Sequence, residues 1–330
     1  MNEEHPHIIS LDKTEPKNRF PVLAQLGILV FIMTALFAAL MFQNTKSETA
    51  SNISIPAPSI DTKQYLVAPE KIEDIYLQGT AAYVWDVKAQ RALYTKNSDA
   101  ILPLASITKL MTTLLAHELI AEDETSTVSL SAIMQEGSSG LLVGEQMTIE
   151  ELTSLALISS SNDAAYALAA NVGLHLGTND PASQFISGMN IRAKELGLNT
   201  LEFRNTTGLD LTLTVPGAVG SAKDITFLLE YIITKYPEIM SPTQQAETRV
   251  YNTTGEYHEV ENTNEIVLEV PNLIGSKTGY TDLAGGNLTI AFDAGLDRPI
   301  IITVLGSTKD DRFTDVLALV GAVQKSLGKQ

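Results

Sequence analysis

The sequence predicts an α+β body, with strands from both ends of the chain sharing one antiparallel sheet and helices filling the middle. Alternating apolar residues mark strands near Ala81 and again beyond Gly275. Between them, apolar residues recur at helical spacing. The late strands are joined by connections too short for parallel crossovers.

Thr80–Asp86 and Arg91–Thr95 read as paired strands around a short polar turn. A helix is expected from Leu104 to about Ile120, because Pro103 precedes it and Leu104, Ile107, Leu110, Met111, Leu114 and Leu115 share one face. Thr148 and Glu151 form a capping box that opens a helix to about Ile158. Ala164–Val172 follows as a helix stopped at Gly173, and another runs from about Ala182 to Leu196 with Gly197 as its stop. Ser221 opens a helix to about Lys235. The period then changes, and Gly275–Thr281, Leu288–Phe292 and Ile300–Leu305 read as three strands joined by turns. A helix from about Asp311 to Leu327 follows the last strand.

The chain has 330 residues, 44% hydrophobic and 18% charged, enough for one large domain and an appendage. A net charge of −17 argues against nucleic acid as a partner. With no cysteine, disulfides, thiolate metal sites and cysteine nucleophiles are excluded. His5, His7, His117, His175 and His258 show no metal-ligand spacing, so neither a metal nor a cofactor is expected.

Residues 1–20 are expected to be a cytoplasmic leader. Pro21 to Phe42 is uncharged and almost wholly apolar, long enough to span a bilayer. Lys13, Lys17 and Arg19 precede it, which orients the leader inward and everything beyond Asn44 outward. A cleaved signal peptide is the rival, but no small-residue cleavage site follows the run. Residues 43–69, with Pro56, Pro58 and Pro69 among small polar residues, read as a flexible linker, and residues 70–330 as the catalytic domain.

Three motifs carry the chemistry. Ser106 and Lys109 are three apart near a helix start, so their side chains share a face, and the helix N-terminus favours developing negative charge. A lysine whose pKa is lowered by burial and positive neighbours can take the serine's proton. Ser10…Lys13 and Ser326…Lys329 match the same spacing by chance, without that helix-start context. Ser160-Ser161-Asn162 falls between two helices, where it can present side chains, cap the second helix, or do both. Lys277-Thr278-Gly279, followed by Tyr280, sits on an expected edge strand.

In order and spacing, these motifs resemble the penicillin-binding D-alanyl-D-alanine carboxypeptidases of the serine β-lactamase-like superfamily, from about Gly79 to about Gly328. The resemblance implies a five-stranded antiparallel sheet flanked by helices, with an all-helical lobe inserted between early and late strands. Ser106 is then the nucleophile, Lys109 the general base and Ser160 a proton relay, while Asn162 holds substrate backbone. Lys277 supplies a fixed positive charge, Thr278 binds the terminal carboxylate and Gly279 lets the backbone approach the ligand. The N–H groups of Ser106 and Tyr280 form the oxyanion hole. The implied partners are peptidoglycan stem peptides and β-lactam inhibitors. The β-rich domain that many members carry after the catalytic one is not expected, since only about 50 residues follow Lys277 and they finish the sheet. Asn205–Asp210 and Ser221–Asp224 match structural loops with no chemistry assigned.

Two other activities fit part of the pattern. A class A-like β-lactamase needs a water-activating glutamate, and Glu195-Leu-Gly-Leu-Asn199 offers one. Glu195 lies off the apolar stripe of Phe185, Ile186, Met189, Ala193 and Leu196, as a solvated residue would. A non-catalytic peptidoglycan-binding scaffold would not need the full Ser, Lys, Ser, Asn, Lys and Thr set.

Overall fold

The computed structural model describes residues 71–72, 75–137, 139–177 and 179–328. The chain divides into two units, 1–62 and 63–330, and every described residue belongs to the second. The expected leader, membrane span and linker lie outside the described residues. Among the described residues, no helix is long and apolar enough to cross a membrane.

In chain order, β1 (Ala81–Asp86) and β2 (Arg91–Lys96) form the expected hairpin. β3 is the short Leu102–Pro103. The helix expected from Leu104 divides here: Ala105–Thr108 is a 3-10 turn, and α1 spans Lys109–Leu119. Ala105, at φ 48°, is in the left-handed region, where a regular helix cannot pass through it.

β4 (Thr125–Thr127), α2 (Leu130–Ile133) and β5 (Gln146–Thr148) lead to α3 (Ile149–Ile158). The Thr148–Glu151 capping box that opens α3 is present in both directions. α4 (Asn162–Val172) starts at a Ser161 cap, and α5 (Pro181–Glu195) ends before Gly197 at φ 76°. β6 (Glu202–Phe203), β7 (Ala218–Gly220), α6 (Ala222–Lys235) and α7 (Pro237–Met240) follow. β8 (Glu247–Tyr251) and β9 (Tyr257–Glu261) make a hairpin before β10 (Leu273–Thr281), β11 (Gly285–Asp293), β12 (Pro299–Ser307) and α8 (Asp311–Gly328).

The main sheet has the order β10-β11-β12-β1-β2, with every pair antiparallel. Late and early strands meet where β12 pairs with β1, for example Thr303 with Tyr83. The expected five-stranded antiparallel sheet is therefore present. The segment between β2 and β10 is mostly helical but also carries three small sheets, β3-β7-β6, β4-β5 and β8-β9.

Strand alternation splits the core. Leu288, Ile290, Phe292, Ile300, Ile302 and Val304 face α8, where they meet Phe313, Val316, Leu319 and Val323. Ala291, Ile301 and Leu305 face the helices of the inserted segment. Each large aliphatic buried this way contributes roughly 1.5–3 kcal/mol. On the second face Thr226, Thr289 and Thr303 join buried hydroxyls at 2.8 Å, so the polar atoms under α6 have partners.

Candidate active site

The segment carrying Ser106 is held from below. Asn287 on β11 donates through Nδ2 to the carbonyls of Pro103 and Leu104, both at 3.0 Å, and its Oδ1 accepts from Gly306 N–H at 2.8 Å. Asn287 is fully buried, so all three bonds are shielded from water.

Ser106 is half-buried in the 3-10 turn, and Lys109 is completely buried at the first position of α1. Positions i and i+3 eclipse in a 3-10 turn, which brings Lys109 Nζ within 2.7 Å of Ser106 Oγ. The same Nζ donates to Asn162 Oδ1 at 2.7 Å and to the Thr207 carbonyl at 2.9 Å. Burial pushes the Lys109 pKa well below its ordinary value, and the nearby Lys277 lowers it further.

Ser160 sits at φ 61°, a strained conformation for serine that lifts it out of the path from α3 to α4. Its Oγ accepts from Lys277 Nζ at 2.9 Å. Ser161 does the capping, accepting from Ala164 N–H at 3.0 Å, so capping and site chemistry fall to neighbouring serines. Asn162 is engaged at both ends, since its Nδ2 donates to the Glu136 carbonyl at 2.7 Å. In this arrangement Asn162 orients Lys109.

Lys277, Thr278 and Gly279 lie on β10, the sheet's edge strand. Lys277 is buried and also donates to the Thr278 carbonyl at 3.0 Å. Its pKa falls to about 7, through burial first and the Arg312 guanidinium second. Burial thus works against the fixed positive charge that the resemblance implies for Lys277. A Cβ on Gly279 would sit 2.9 Å from the Leu104 carbonyl oxygen and 3.2 Å from Ile107 N. Only glycine lets the Tyr280 backbone come this close to the Ser106 turn.

Three contributors were assigned no chemistry from the sequence. Thr207 acts through a backbone carbonyl. Arg312 reaches back from α8, donating from Nη1 to the Gly279 carbonyl at 2.9 Å. Thr263 Oγ1 lies 2.6 Å from Thr278 Oγ1.

Glu195 is not among these groups: its side chain is 57% exposed and pairs with Arg192 at 3.0 Å. A cavity of about 320 Å³ opens beside Ser160–Asn162, bordered by Ser139, His258 and Glu259. Larger cavities at Trp85, Phe227 and Tyr231 (about 500 Å³) and at His117 and Glu122 (about 460 Å³) contain no member of the three motifs. Among the described residues, His117, Glu122 and Glu238 are close enough together to share a cation. Each ring nitrogen of His117 already faces its own carboxylate, Glu122 at 2.8 Å and Glu238 at 3.2 Å.

The chain also matches known proteins. Residues 68–309 match the family model described as D-alanyl-D-alanine carboxypeptidase. The chain is 31% identical over 270 residues to D-alanyl-D-alanine carboxypeptidase DacF of Bacillus subtilis, covering 80% of this chain and 66% of that protein. It is 31% identical to the D-alanyl-D-alanine endopeptidase of Pseudomonas aeruginosa, over 74% of this chain and 76% of that one. Penicillin-binding protein D2 of Listeria monocytogenes, solved in an ampicillin-bound form, superposes with a TM-score of 0.63 at 30% identity, over 76% of this chain and 98% of that one.

Proposed function

The chain belongs to the D-alanyl-D-alanine carboxypeptidase family, and we propose that it removes the terminal D-alanine from peptidoglycan stem peptides through an acyl-enzyme on Ser106. β-Lactams acylate the same serine. The observation that carries this is the environment of Lys109. A neutral amine has two N–H bonds and one lone pair. The Asn162 and Thr207 oxygens take the two hydrogens, leaving the lone pair for the Ser106 hydroxyl at 2.7 Å. Burial pushes the Lys109 pKa well below its ordinary value, which favours the form that can act as a base.

Ser106 Oγ attacks the carbonyl carbon of the penultimate D-alanine as its proton passes to Lys109. The N–H groups of Ser106 and Tyr280 receive the oxyanion. The C–N bond breaks, and the leaving amine takes, through Ser160, the proton that Lys109 accepted, which restores Lys109 as a base; Lys277 holds Ser160 at 2.9 Å. Water then attacks the ester, its proton passing to Lys109 and on to Ser106 Oγ as the acyl–oxygen bond breaks, and the shortened peptide leaves. Lys277 and Thr278 hold the carboxylate of the departing D-alanine.

Incubation with a stem pentapeptide and with fluorescent penicillin tests this. D-alanine release and labelling are expected from the wild type, and neither from Ser106→Ala. A labelled alanine variant would remove Ser106 as nucleophile. Rapid drug turnover would make the chain a β-lactamase, and neither signal from the wild type would make it a scaffold. Cleavage of cross-linked dimers in preference to pentapeptide would make it an endopeptidase, like the Pseudomonas relative.

The uncharged run Pro21–Phe42 and the basic residues before it support a single-pass anchor with the catalytic domain outside the membrane. External protease on intact cells should remove residues beyond Asn44 and spare the leader. Recovery of a soluble mature protein beginning near Ala50 would show cleavage instead.

A further inference from the structure

We infer that Thr263 is a positioning residue for the terminal carboxylate: it supplies the hydrogen that lets Thr278 give up its own, through two hydroxyls that reverse direction when substrate binds. This rests on the peptidase assignment above, in which Thr278 receives that carboxylate.

Asn262, Thr263 and Asn264 run past the free edge of β10. Asn262 Nδ2 donates to the carbonyls of Thr243 at 2.9 Å and Gln245 at 2.8 Å. Asn264 Nδ2 donates to Ser276 Oγ at 3.0 Å. These anchors on either side fix Thr263 opposite Thr278, with the hydroxyl oxygens 2.6 Å apart. Thr263 Oγ1 is also 3.2 Å from the Ile158 carbonyl oxygen, and Thr263 N–H donates to that same oxygen at 3.0 Å. Ile158 ends α3, two residues before Ser160.

Each hydroxyl has one hydrogen to give. In the empty site a complete chain runs from Thr278 to Thr263 to the Ile158 carbonyl. A carboxylate can only accept, so it needs the Thr278 hydrogen. Thr263 must then swing its hydrogen from Ile158 to Thr278. The Ile158 oxygen is not orphaned by this, because it keeps the Thr263 N–H. The reversal therefore leaves no buried polar atom without a partner and requires no heavy atom to move. In the reversed chain, Thr263 donates to Thr278 while Thr278 donates to a charge, and each bond strengthens the other. A purely structural Thr263 would tie the 262–264 segment to α3 and have no preference for a charged ligand.

The test compares acylation by a penicillin with acylation by its methyl ester, in wild type, Thr263→Val, Thr263→Ala and Thr263→Ser. The acid-to-ester ratio should fall roughly tenfold in the valine and alanine variants, the scale of one hydrogen bond to a charged group, and serine should restore it. For D-alanyl peptides the loss should appear in KM more than in kcat. If the valine variant fails to fold, the alanine variant carries the comparison, since it keeps the N–H bond to Ile158. Equal losses on acid and ester, or a serine variant that does not restore the ratio, would overturn the inference. A wild type acylated by neither compound would bring down the peptidase assignment, and the inference with it.

Discussion

A Cβ placed on Gly208 would lie 1.8 Å from the carbonyl oxygen of Ala105, the residue before Ser106. The turn Asn205–Gly208 is thus pressed against the Ser106 segment, which is how the Thr207 carbonyl reaches Lys109. Asn205 Oδ1 shapes the turn by accepting from Gly208 N–H at 2.7 Å.

Gly208→Ala should therefore damage both fold and site. Gly208 has φ 83°, so alanine adds backbone strain to the clash. A destabilisation on the order of 3 kcal/mol is expected in thermal or denaturant unfolding. Whatever folds should acylate slowly, because Lys109 loses the partner that fixes one of its hydrogens. Wild-type stability and acylation in this variant would show that the turn yields freely.

Much of this architecture was legible because it rests on side-chain identity and period. The Thr148–Glu151 box, the Gly197 stop and the three late strands all announce themselves. So do Ser106, Lys109, Ser160, Asn162 and Lys277, which converge as their motifs imply. The hairpin β8–β9 was hidden because only Val250 and Val260 are buried in it, too few to show alternation. Its Asn252–Gly255 turn, with Gly255 at φ 87°, was the available signal. Thr207 could not be found from side chains because it acts through a carbonyl. Arg312 could not be found because its contact with Gly279 joins residues of different elements, 33 positions apart. The 3-10 turn at Ser106 depends on Ala105 taking a positive φ, which nothing about alanine foretells.

The Lys277 pKa of about 7 sets a pH dependence. Burial favours the neutral amine, so free enzyme carries the charge below about pH 7 and loses it above. The substrate carboxylate prefers the charged form, so kcat/KM for peptides should fall on the alkaline side of neutrality through a rise in KM. Arg312 is the second cause of the shift. Removing it in Arg312→Gln should move that falling limb to higher pH, even if overall activity drops. A limb that stays in place would assign it to another group.

Glu195→Ala should leave penicillin deacylation within about twofold of wild type, a change too small to signify lost catalysis. Among the described residues Glu195 pairs only with Arg192, which also pairs with Glu118 at 2.7 Å. Losing that exposed pair should cost about 0.3–0.5 kcal/mol. The wild-type acyl-enzyme should be long-lived, since Glu195, the candidate water-activating carboxylate, is exposed and paired with Arg192. Fast drug turnover that disappears in the alanine variant would reverse this and make Glu195 the general base.

Gly279→Ala tests whether closeness between β10 and the Ser106 turn is what builds the acylation site. The added methyl would press on the Leu104 carbonyl at 2.9 Å and on Ile107 N and Ala105 Cβ at 3.2 Å. Leu104 is held by Asn287 from β11, so it cannot yield easily. Among the described residues β10 has a strand neighbour on one side only, so it has more room to yield than Leu104. Outward movement carries Tyr280 N–H away from the oxyanion position while Lys109 keeps its bonds to Ser106, Asn162 and Thr207. A displacement near 1 Å is enough to cost about a hundredfold in acylation. The expected result is acylation down by roughly that factor, a fall in unfolding free energy of only about 1–2 kcal/mol, and substrate binding less affected than kcat. Acylation and binding reduced in the same proportion would mean that the glycine serves ligand entry rather than oxyanion placement.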